Sequence, residues 1–393
     1  MSKSFRKSTI WIMVLLLCLT LAFTGCGQKP AEKPAETPAE TIKIGVFEPL
    51  TGANAAGGAM EVEGMKLANT LYPEVLGKKI ELVIVDNKSD KVEAANAAQR
   101  LVEQDKVVAI IGSWGSSLSM AAGSIVQEAQ IPAVGASCTN PLVTLGNDFY
   151  FRVCFLDPFQ GEVLAKYAFN EMGAKKVAII KEVSNDYAVG LAKFFEDTFV
   201  AVSGDANAVV VNIDYQTGDQ DFSAQLQAIK QANPDVVFAP GNYTESALII
   251  KQAKEQGLDV PFLGGDTWEA PEFLAIGGEA VEGAIFSTFF ASDVPITAES
   301  EVFLAAYKEQ GQFDEPAAVT ALGYDAYLVV RDAIERAGST DPVAIRDAIA
   351  ETKGFVGAAG VVSLDANGDA VKDAVIKQVK DGQFVYLFTV QAE

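Results

Sequence analysis

Two loops rich in hydroxyl groups are candidates for binding a small anion. Residues 112–117 read Gly-Ser-Trp-Gly-Ser-Ser, and residues 136–141 read Ala-Ser-Cys-Thr-Asn-Pro. Each loop follows an apolar run, and the first stands at the predicted start of a helix, whose free N–H groups and dipole suit a carboxylate or a phosphate. The first loop has neither the lysine of a P-loop nor the glycine spacing of a dinucleotide-binding motif. Helix capping by Ser116 and a turn before Pro141 are the alternative interpretations.

Asp266 is a candidate partner for a cation. It lies in the sequence Gly-Gly-Asp-Thr-Trp at residues 264–268, where two glycines allow the backbone to come close to a ligand. Its carboxylate could pair with an ammonium group. A solvated aspartate that caps the following helix is the alternative interpretation.

Other patterns exclude several kinds of chemistry. The 393 residues include no histidine, which excludes Ser-His-Asp and Cys-His nucleophile systems, histidine-ligated zinc and histidine-bound haem. The formal charge of −22 argues against nucleic acid binding. Residues 365–369 are similar to the start of a calcium loop, but Ala370 and Ile376 replace the required Gly and Glu, so we interpret them as a turn and expect no metal and no cofactor.

Cys138 and Cys154 could form a disulfide or remain buried thiols.

Strand and helix patterns alternate along the chain from residue 42 to residue 264. Apolar runs predict strands at 42–46, 79–86, 107–112, 131–134, 176–181, 208–213, 235–239 and 262–264. Helical periodicity predicts helices at 64–72, 91–104, 116–130, 157–172, 187–200, 222–231 and 246–256. The tail, residues 354–393, is rich in further strands. The alternation is typical of parallel α/β sheets, and the number of strands favours two sheets. Ligands of such sheets bind beyond the carboxyl ends of the strands, where both loops and Asp266 lie.

The N-terminal segment is expected to be a secretion signal followed by a tether. Residues 1–25 combine a basic start with an apolar stretch of about 14 residues, which is too short to span a bilayer and is typical of a secretory signal. They end in Phe-Thr-Gly before Cys26, which resembles the bacterial lipobox and predicts a lipid on Cys26. Residues 26–41, rich in Pro, Ala and Glu, predict an extended tether. An uncleaved anchor is the alternative, and both interpretations place the remainder outside the cytoplasmic membrane. Loss of the signal removes three basic residues and no acidic one, which changes the charge to −25.

The order and spacing of the motifs over residues 42–390 resemble the leucine/isoleucine/valine-binding proteins of ABC transporters. The motifs are IKIGVFEPLTG, LVIVDNKSD, AIIGSWGSS, ASCTNPLVT, FRVCFLDPFQG, DYAVGLA, PGNYTESALIIKQAKEQGL, FLGGD and LDANGD. The resemblance implies the two-lobed type I periplasmic-binding-protein fold, an α/β fold in which each lobe is a parallel sheet flanked by helices and three strands form the hinge. The implied N-terminal lobe is 42–153 with 288–362, the implied C-terminal lobe is 154–287 with 363–393, and the crossings fall near Val153, Ser287 and Val362.

The resemblance also implies which residues of the N-terminal lobe bind the carboxylate of an amino acid. Ser116 would bind it with its hydroxyl group. Ser137, Cys138 and Thr139 would add hydroxyl and backbone N–H groups, with both kinds of donor supplied by Thr139.

Further implied positions concern the amino group and the side chain of the ligand. Asp266 would hold the α-ammonium group, and Tyr187 and Tyr243 would close on the ligand from the second lobe. Trp114 stands at a position of the side-chain pocket and is bulkier than the aliphatic residue of leucine-binding relatives. An aromatic residue on the first loop of some relatives is absent here, in the stretch around Gly57.

These implications predict an extracytoplasmic, lipid-anchored solute-binding protein. It would capture an amino acid, branched-chain or similarly apolar, and deliver it to the permease of an ABC importer. We expect a monomer without enzymatic activity. The alternatives are a binder of amides, urea-like compounds or aromatic acids, a sensor subunit, and a secreted hydrolase that uses Asp or Glu. The carboxylate of Asp266 favours a ligand with an amine.

Overall fold

A computed structural model describes residues 41–313 and 315–392 of the chain. The predicted signal, Cys26 and all but the last residue of the predicted tether lie outside the described residues. Within the described part, none of the helices combines the length and the apolar character needed to cross a membrane. The chain alternates strands and helices as predicted.

The strands and helices are numbered along the chain. The strands are β1 Ile42–Glu48, β2 Glu74–Val75, β3 Lys78–Asp86, β4 Ala109–Ile111, β5 Ala133–Gly135, β6 Tyr150–Arg152, β7 Val177–Glu182, β8 Val209–Tyr215, β9 Val236–Phe238, β10 Phe262–Gly264, β11 Ile285–Thr288, β12 Phe355–Gly357, β13 Gly360–Val362, β14 Ala374–Lys380 and β15 Gln383–Val390. The helices are α1 Ala55–Leu71, α2 Lys91–Arg100, α3 Ser116–Ala129, α4 Asp157–Asn170, α5 Asp186–Ser203, α6 Ser223–Ala232, α7 Tyr243–Glu255, α8 Pro271–Gly277, α9 Ala298–Gln310, α10 Ala318–Ala337 and α11 Pro342–Ala350. A π-helical turn, Leu101–Asp105, continues α2.

The first sheet has the strand order β2-β3-β1-β4-β5-β6. All of its pairs are parallel except the short hairpin of β2 with β3. The strands β4, β5 and β6 are buried along their whole length, as expected for a parallel sheet covered on both faces. One of its covering helices, α10, comes from the second half of the chain and packs on α1, where a Cβ on Gly64 would lie 1.9 Å from the carbonyl oxygen of Thr320. Glycine is therefore needed for this close approach.

The second sheet has the strand order β15-β14-β11-β10-β9-β7-β8. Its strands β7 to β11 pair in parallel, and β14 and β15 are added as antiparallel strands, which confirms the strand-rich tail. Aromatic packing holds α5 on this sheet, where the ring centroids of Phe195 and Phe238 are 4.0 Å apart. We call the first sheet with α1–α3 and α9–α11 the first lobe, and the second sheet with α4–α8 the second lobe. The two parallel-dominated, helix-flanked sheets confirm the predicted α/β fold class.

The chain passes from the first lobe to the second after β6 and returns to the helices of the first lobe after β11. Strands β12 and β13 then form a separate two-stranded sheet, and after β13 the chain enters the second sheet at β14. This strand order supports the predicted lobe boundaries, which remain our proposal. Buried ion pairs lie at these passages. Arg152 Nε is 2.7 Å from Asp369 Oδ1, and Lys377 Nζ is 2.7 Å from Glu269 Oε1. Glu269 also accepts hydrogen bonds from the hydroxyl of Thr288 and from a backbone N–H at the start of α10. These polar contacts therefore connect segments of both lobes.

Candidate functional site

A cavity of about 100 Å³ lies between the carboxyl ends of the strands of both sheets. The loops after β1, β3, β4 and β5 form its wall in the first lobe, and the loops after β7, β8, β9 and β10 form it in the second. Open α/β sheets bind their ligands at this edge. The volume is below that of pockets for drug-sized molecules, which favours a small ligand. Among the predicted site residues, those at the wall are Trp114, Ser116, Ser137, Tyr187 and Asp266.

The first lobe presents hydrogen-bond donors to the cavity. Ser116 is the first residue of α3, and its Oγ accepts the backbone N–H of Asn140 at 3.1 Å. Because that contact uses a lone pair, the hydroxyl proton is left for a ligand. The N–H groups of the first turn of α3, from Ser116 onward, and the helix dipole add positive potential at the same place. This side of the cavity can therefore bind a carboxylate.

The second hydroxyl-rich loop reaches the cavity only through Ser137. The Ser137 hydroxyl donates to the carboxyl group of Glu61, so its proton is already committed to a protein acceptor. Cys138 and Thr139 are completely buried and lie behind the wall. Arg152 Nη1 donates to the carbonyl oxygen of Cys138 at 2.5 Å, which orients this part of the loop toward the hinge. Direct contact of Cys138 and Thr139 with a ligand stays a prediction.

Asp266 gives the second lobe a buried carboxylate at the cavity. It begins a short 3-10 turn after β10 and is 3% exposed. Gln160 Nε2 donates to Asp266 Oδ1 at 2.5 Å, and the Tyr187 hydroxyl donates to the same oxygen at 2.9 Å. Burial raises the pKa of Asp266 to about 6, although both hydrogen bonds lower it. The group is thus ionised at neutral pH, and no Lys or Arg of the described residues forms an ion pair with it.

An indole ring occupies one wall of the cavity. The side chain of Trp114, from the loop after β4, packs against α1. A Cβ added to Gly57 of α1 would be 2.3 Å from the indole ring. Its ring centroid is 6.1 Å from that of Tyr243, which stands behind it rather than at the wall. The Tyr243 hydroxyl donates to the carbonyl oxygen of Ala53 at 2.9 Å and accepts the N–H of Ala56 at 3.2 Å. Tyr243 therefore joins the second lobe to the start of α1.

Further contacts connect the lobes around the cavity mouth. Ser117 Oγ donates to Asp186 Oδ2 at 2.7 Å and accepts the Asp186 N–H at 3.0 Å. Lys91 Nζ lies 2.8 Å from the same carboxylate oxygen. Burial acts to raise the pKa of Asp186, but the hydrogen bonds from Lys91 and Ser117 outweigh it, and the pKa is lowered. Asn242 Nδ2 donates to Asn54 Oδ1 at 3.0 Å. The structure therefore has its lobes in contact.

Sequence reasoning missed four buried acids near the cavity: Glu48, Glu61, Asp157 and Glu182. Glu182 lies at the wall, where it accepts a hydrogen bond from Asn185 Nδ2 at 3.0 Å. Burial raises the pKa of Asp157, and the charge of Asp266 raises it further. Glu48, Asp157 and Glu182 end strands or open a helix, which could have indicated them. Glu61 lies in the middle of α1, where no sequence signal distinguishes it from other helical glutamates.

The cysteines and the acidic turn have structural roles. Cys138 and Cys154 are free, buried thiols, so the interpretation without a disulfide holds. Burial raises the pKa of Cys138 to about 11 and that of Cys154 well above its usual range. Residues 365–369 form the predicted turn, in which the Asp365 carboxylate accepts the N–H groups of Asn367 and Asp369. In the part of the chain that the structure describes, no group of Cys, Asp and Glu residues could hold a metal ion.

Comparison with known proteins identifies similar sequences and structures. The sequence model of the family described as periplasmic binding protein matches residues 41–383. The leucine binding protein LivK of Thermotoga maritima MSB8 is 44% identical, with a TM-score of 0.86 over 89% of this chain and 99% of that one. LivJ of Streptococcus pneumoniae, a branched-chain amino acid transporter substrate binding protein solved with isoleucine, is 33% identical, with a TM-score of 0.82 over 88% and 100%. A solute binding protein of Rhodopseudomonas palustris BisB5, solved with 3,4-dihydroxybenzoic acid, is 27% identical, with a TM-score of 0.79 over 90% and 98%.

Proposed function

The chain belongs to the periplasmic binding protein family of ABC-transporter solute-binding proteins, and from that premise we propose that it captures a branched-chain or similarly apolar α-amino acid. The family acts outside the cytoplasm and comprises substrate-binding proteins rather than enzymes. The bound amino acid would be delivered to the permease of an ABC importer, without any chemical change.

The carboxylate of Asp266 is the observation that carries this proposal. Both side-chain donors that reach it go to Oδ1, which leaves Oδ2 for a ligand. A buried carboxylate without a cationic partner is costly, and an α-ammonium group would supply the missing charge. A ligand without an amine would leave this cost in place.

The opposite wall suits the other end of a zwitterion. The Ser116 hydroxyl and the first N–H groups of α3 are donors that a carboxylate can accept. Because the two halves of the site belong to different lobes, one amino acid would contact both and favour the closed state over the open state. Micromolar affinity would require about −8 kcal/mol.

The side chain of the ligand would pack against Trp114. An indole face suits an aliphatic chain, and the small cavity limits its length. The aromatic wall is also compatible with an aromatic acid, and a relative solved with 3,4-dihydroxybenzoic acid has the same fold. Such an acid has no amine for Asp266, so the amino acid is favoured.

The same proposal includes the N-terminal segment and the assembly. Residues 1–25 would direct export, Cys26 would carry a lipid, and the tether would hold a monomer near the permease at the outer side of the membrane. Metabolic labelling with a fatty acid would show the lipid, and Cys26→Ser should abolish the label. Labelling of the Cys26→Ser protein would contradict the lipid assignment.

A ligand screen tests the function. Residues 27–393 would be purified and assayed by thermal shift and calorimetry against all proteinogenic amino acids, their amides and aromatic acids. We expect leucine, isoleucine or valine to give the largest response. A response to aromatic acids alone, or to no α-amino acid, would refute the proposal.

A further inference from the structure

Two buried carboxyl groups lie directly behind the carboxylate-binding side of the cavity. Glu48 ends β1, and Glu61 lies in α1; both are 0% exposed. Glu48 Oε2 accepts the backbone N–H of Trp114 at 2.6 Å and the Ser113 hydroxyl at 3.4 Å. Glu61 accepts the hydroxyl of Ser137. Each acid thus holds one of the two hydroxyl-rich loops.

Glu48 Oε1 and Glu61 Oε2 are both buried without another hydrogen-bond partner, and the two carboxyl groups are within hydrogen-bonding reach of each other. Two ionised carboxylates cannot share such a contact in a buried site, so one of them keeps a proton. Burial, and then the charge of Glu61, raise the pKa of Glu48 well above its usual range. Burial raises the pKa of Glu61 to about 7, although the hydrogen bonds from Ser137 and Glu48 lower it. The pair therefore holds one shared proton, and a second proton is gained or lost near neutral pH.

No nearby basic side chain neutralises the negative charge of the pair. Among the described residues, neither acid forms an ion pair with Lys or Arg. The titratable and charged groups that face the pair from other elements are Cys138, Tyr150, Arg152, Cys154 and Asp266. Arg152, the cation of this set, is committed to Asp369 and to backbone carbonyls.

We propose that Glu48 and Glu61 are positioning residues that align both carboxylate-binding loops and take up a proton when the ligand carboxylate binds. The inference rests on the proposed function. A carboxylate bound at Ser116, beside Ser137, would be separated from Glu61 by the Ser137 hydroxyl group. Its negative charge disfavours ionised Glu61, so binding increases the proton affinity of the pair. The proton comes from solvent and remains on Glu61 until the ligand leaves.

The opposite effect at Asp266 gives the proposal a distinctive pH dependence. An ammonium group favours ionised Asp266, so binding releases a proton there. With pKa values of about 7 for Glu61 and about 6 for Asp266 in the free protein, binding at pH 7.5 should take up about three-quarters of a proton, and binding at pH 5.5 should release about as much. Affinity should therefore be highest near pH 6.5 and fall on both sides.

Calorimetry in buffers of different ionisation enthalpy counts these protons. Leucine, or whichever amino acid binds best, would be titrated at pH 7.5 and at pH 5.5. Glu61→Gln should lose the uptake at pH 7.5 and keep the release at pH 5.5, because Asp266 is unchanged. Glu128→Gln, which changes an exposed acid on α3, is the matched control and should keep both. Glu61→Ala should weaken binding at least tenfold, and Glu61→Gln should restore most of that affinity, since the amide can still hold Ser137.

Two results would overturn the proposal. The first is a wild type that takes up no proton when it binds ligand at pH 7.5. The second is an uptake at pH 7.5 that is the same in the wild type and in Glu61→Gln. Either result would exclude proton coupling at this pair. A measurement without ligand separates this failure from failure of the proposed function. Infrared spectra at pH 8 should show a protonated carboxyl band in the free wild type that Glu48→Gln lacks. If the band is unchanged in Glu48→Gln, the shared proton is refuted whether or not any amino acid binds.

Discussion

Replacing Asp266 with Asn should strongly weaken ligand binding and at the same time stabilise the free protein. The amide has nearly the same shape, but it removes the charge that would pair with the ammonium group. Loss of one member of a buried, hydrogen-bonded charge pair costs about 2–5 kcal/mol, which is about a 30- to 5,000-fold loss of affinity.

The stability effect follows from the pKa of Asp266. This pKa is raised by burial from 3.8 to about 6, so the folded protein resists ionisation more than the unfolded chain does. The resulting cost is absent when both states are protonated and grows as the pH rises through the interval between these values. It amounts to about 1 kcal/mol at pH 4.5 and about 3 kcal/mol at pH 7.5. The Asn variant avoids this cost.

Urea unfolding of the free protein at both pH values measures the effect. The free energy of unfolding of Asp266→Asn should exceed that of the wild type by about 3 kcal/mol at pH 7.5 and by about 1 kcal/mol at pH 4.5. Asp293→Asn, at an exposed position between β11 and α9, should change neither stability nor binding. An Asp266→Asn protein that binds amino acids with wild-type affinity would place the ammonium partner elsewhere. Equal stability at pH 7.5 would refute the argument from burial.

Three further changes test other contacts. Gly57→Ala should weaken binding at least tenfold in calorimetry, because the new Cβ would lie 2.3 Å from the Trp114 ring and displace it; unchanged affinity would contradict this placement. Lys91→Ala should lower affinity by about two- to fivefold and mainly speed dissociation in stopped-flow measurements, because its exposed contact with Asp186 joins the two lobes across the cavity mouth. A change in the association rate alone would argue against this role. Arg152→Met should lower the free energy of unfolding by about 3–5 kcal/mol in urea titrations, since it leaves buried acceptors without a partner; a loss below 1 kcal/mol would refute that role.

Part of the cavity wall could be predicted from the sequence because the position of a loop follows from strand order. Alternating strands and helices place the carboxyl ends of parallel strands at one edge, so Ser116, Ser137 and Asp266 could be expected near one another. The same pattern underestimated the length of helices whose apolar periodicity is weak. Helix α1 begins at Ala55, well before the predicted start at residue 64, because its first residues are small and give no periodic signal.

The orientation of individual side chains could not be predicted in the same way. The resemblance implies that Thr139 contacts the ligand, and this stays a prediction. In the structure Thr139 is buried behind the wall, and Arg152 holds the carbonyl groups on either side of it. The contact between Glu48 and Glu61 depends on how deeply α1 packs against α10 and the sheet. Such packing arises from residues far apart in the sequence, so no local pattern reports it.

The buried ion pairs near the hinge affect how the protein responds to the salt concentration around it. Dissolved salt screens charges that face water, whereas Arg152 with Asp369 and Lys377 with Glu269 are shielded from it. The exposed contact of Lys91 with Asp186 at the cavity mouth has no such protection. A protein outside the cytoplasm cannot rely on the cell to regulate the ionic strength around it. Its hinge should therefore keep the same electrostatic energy in dilute and in saline media, and only the rim of the closed cleft should loosen as salt increases.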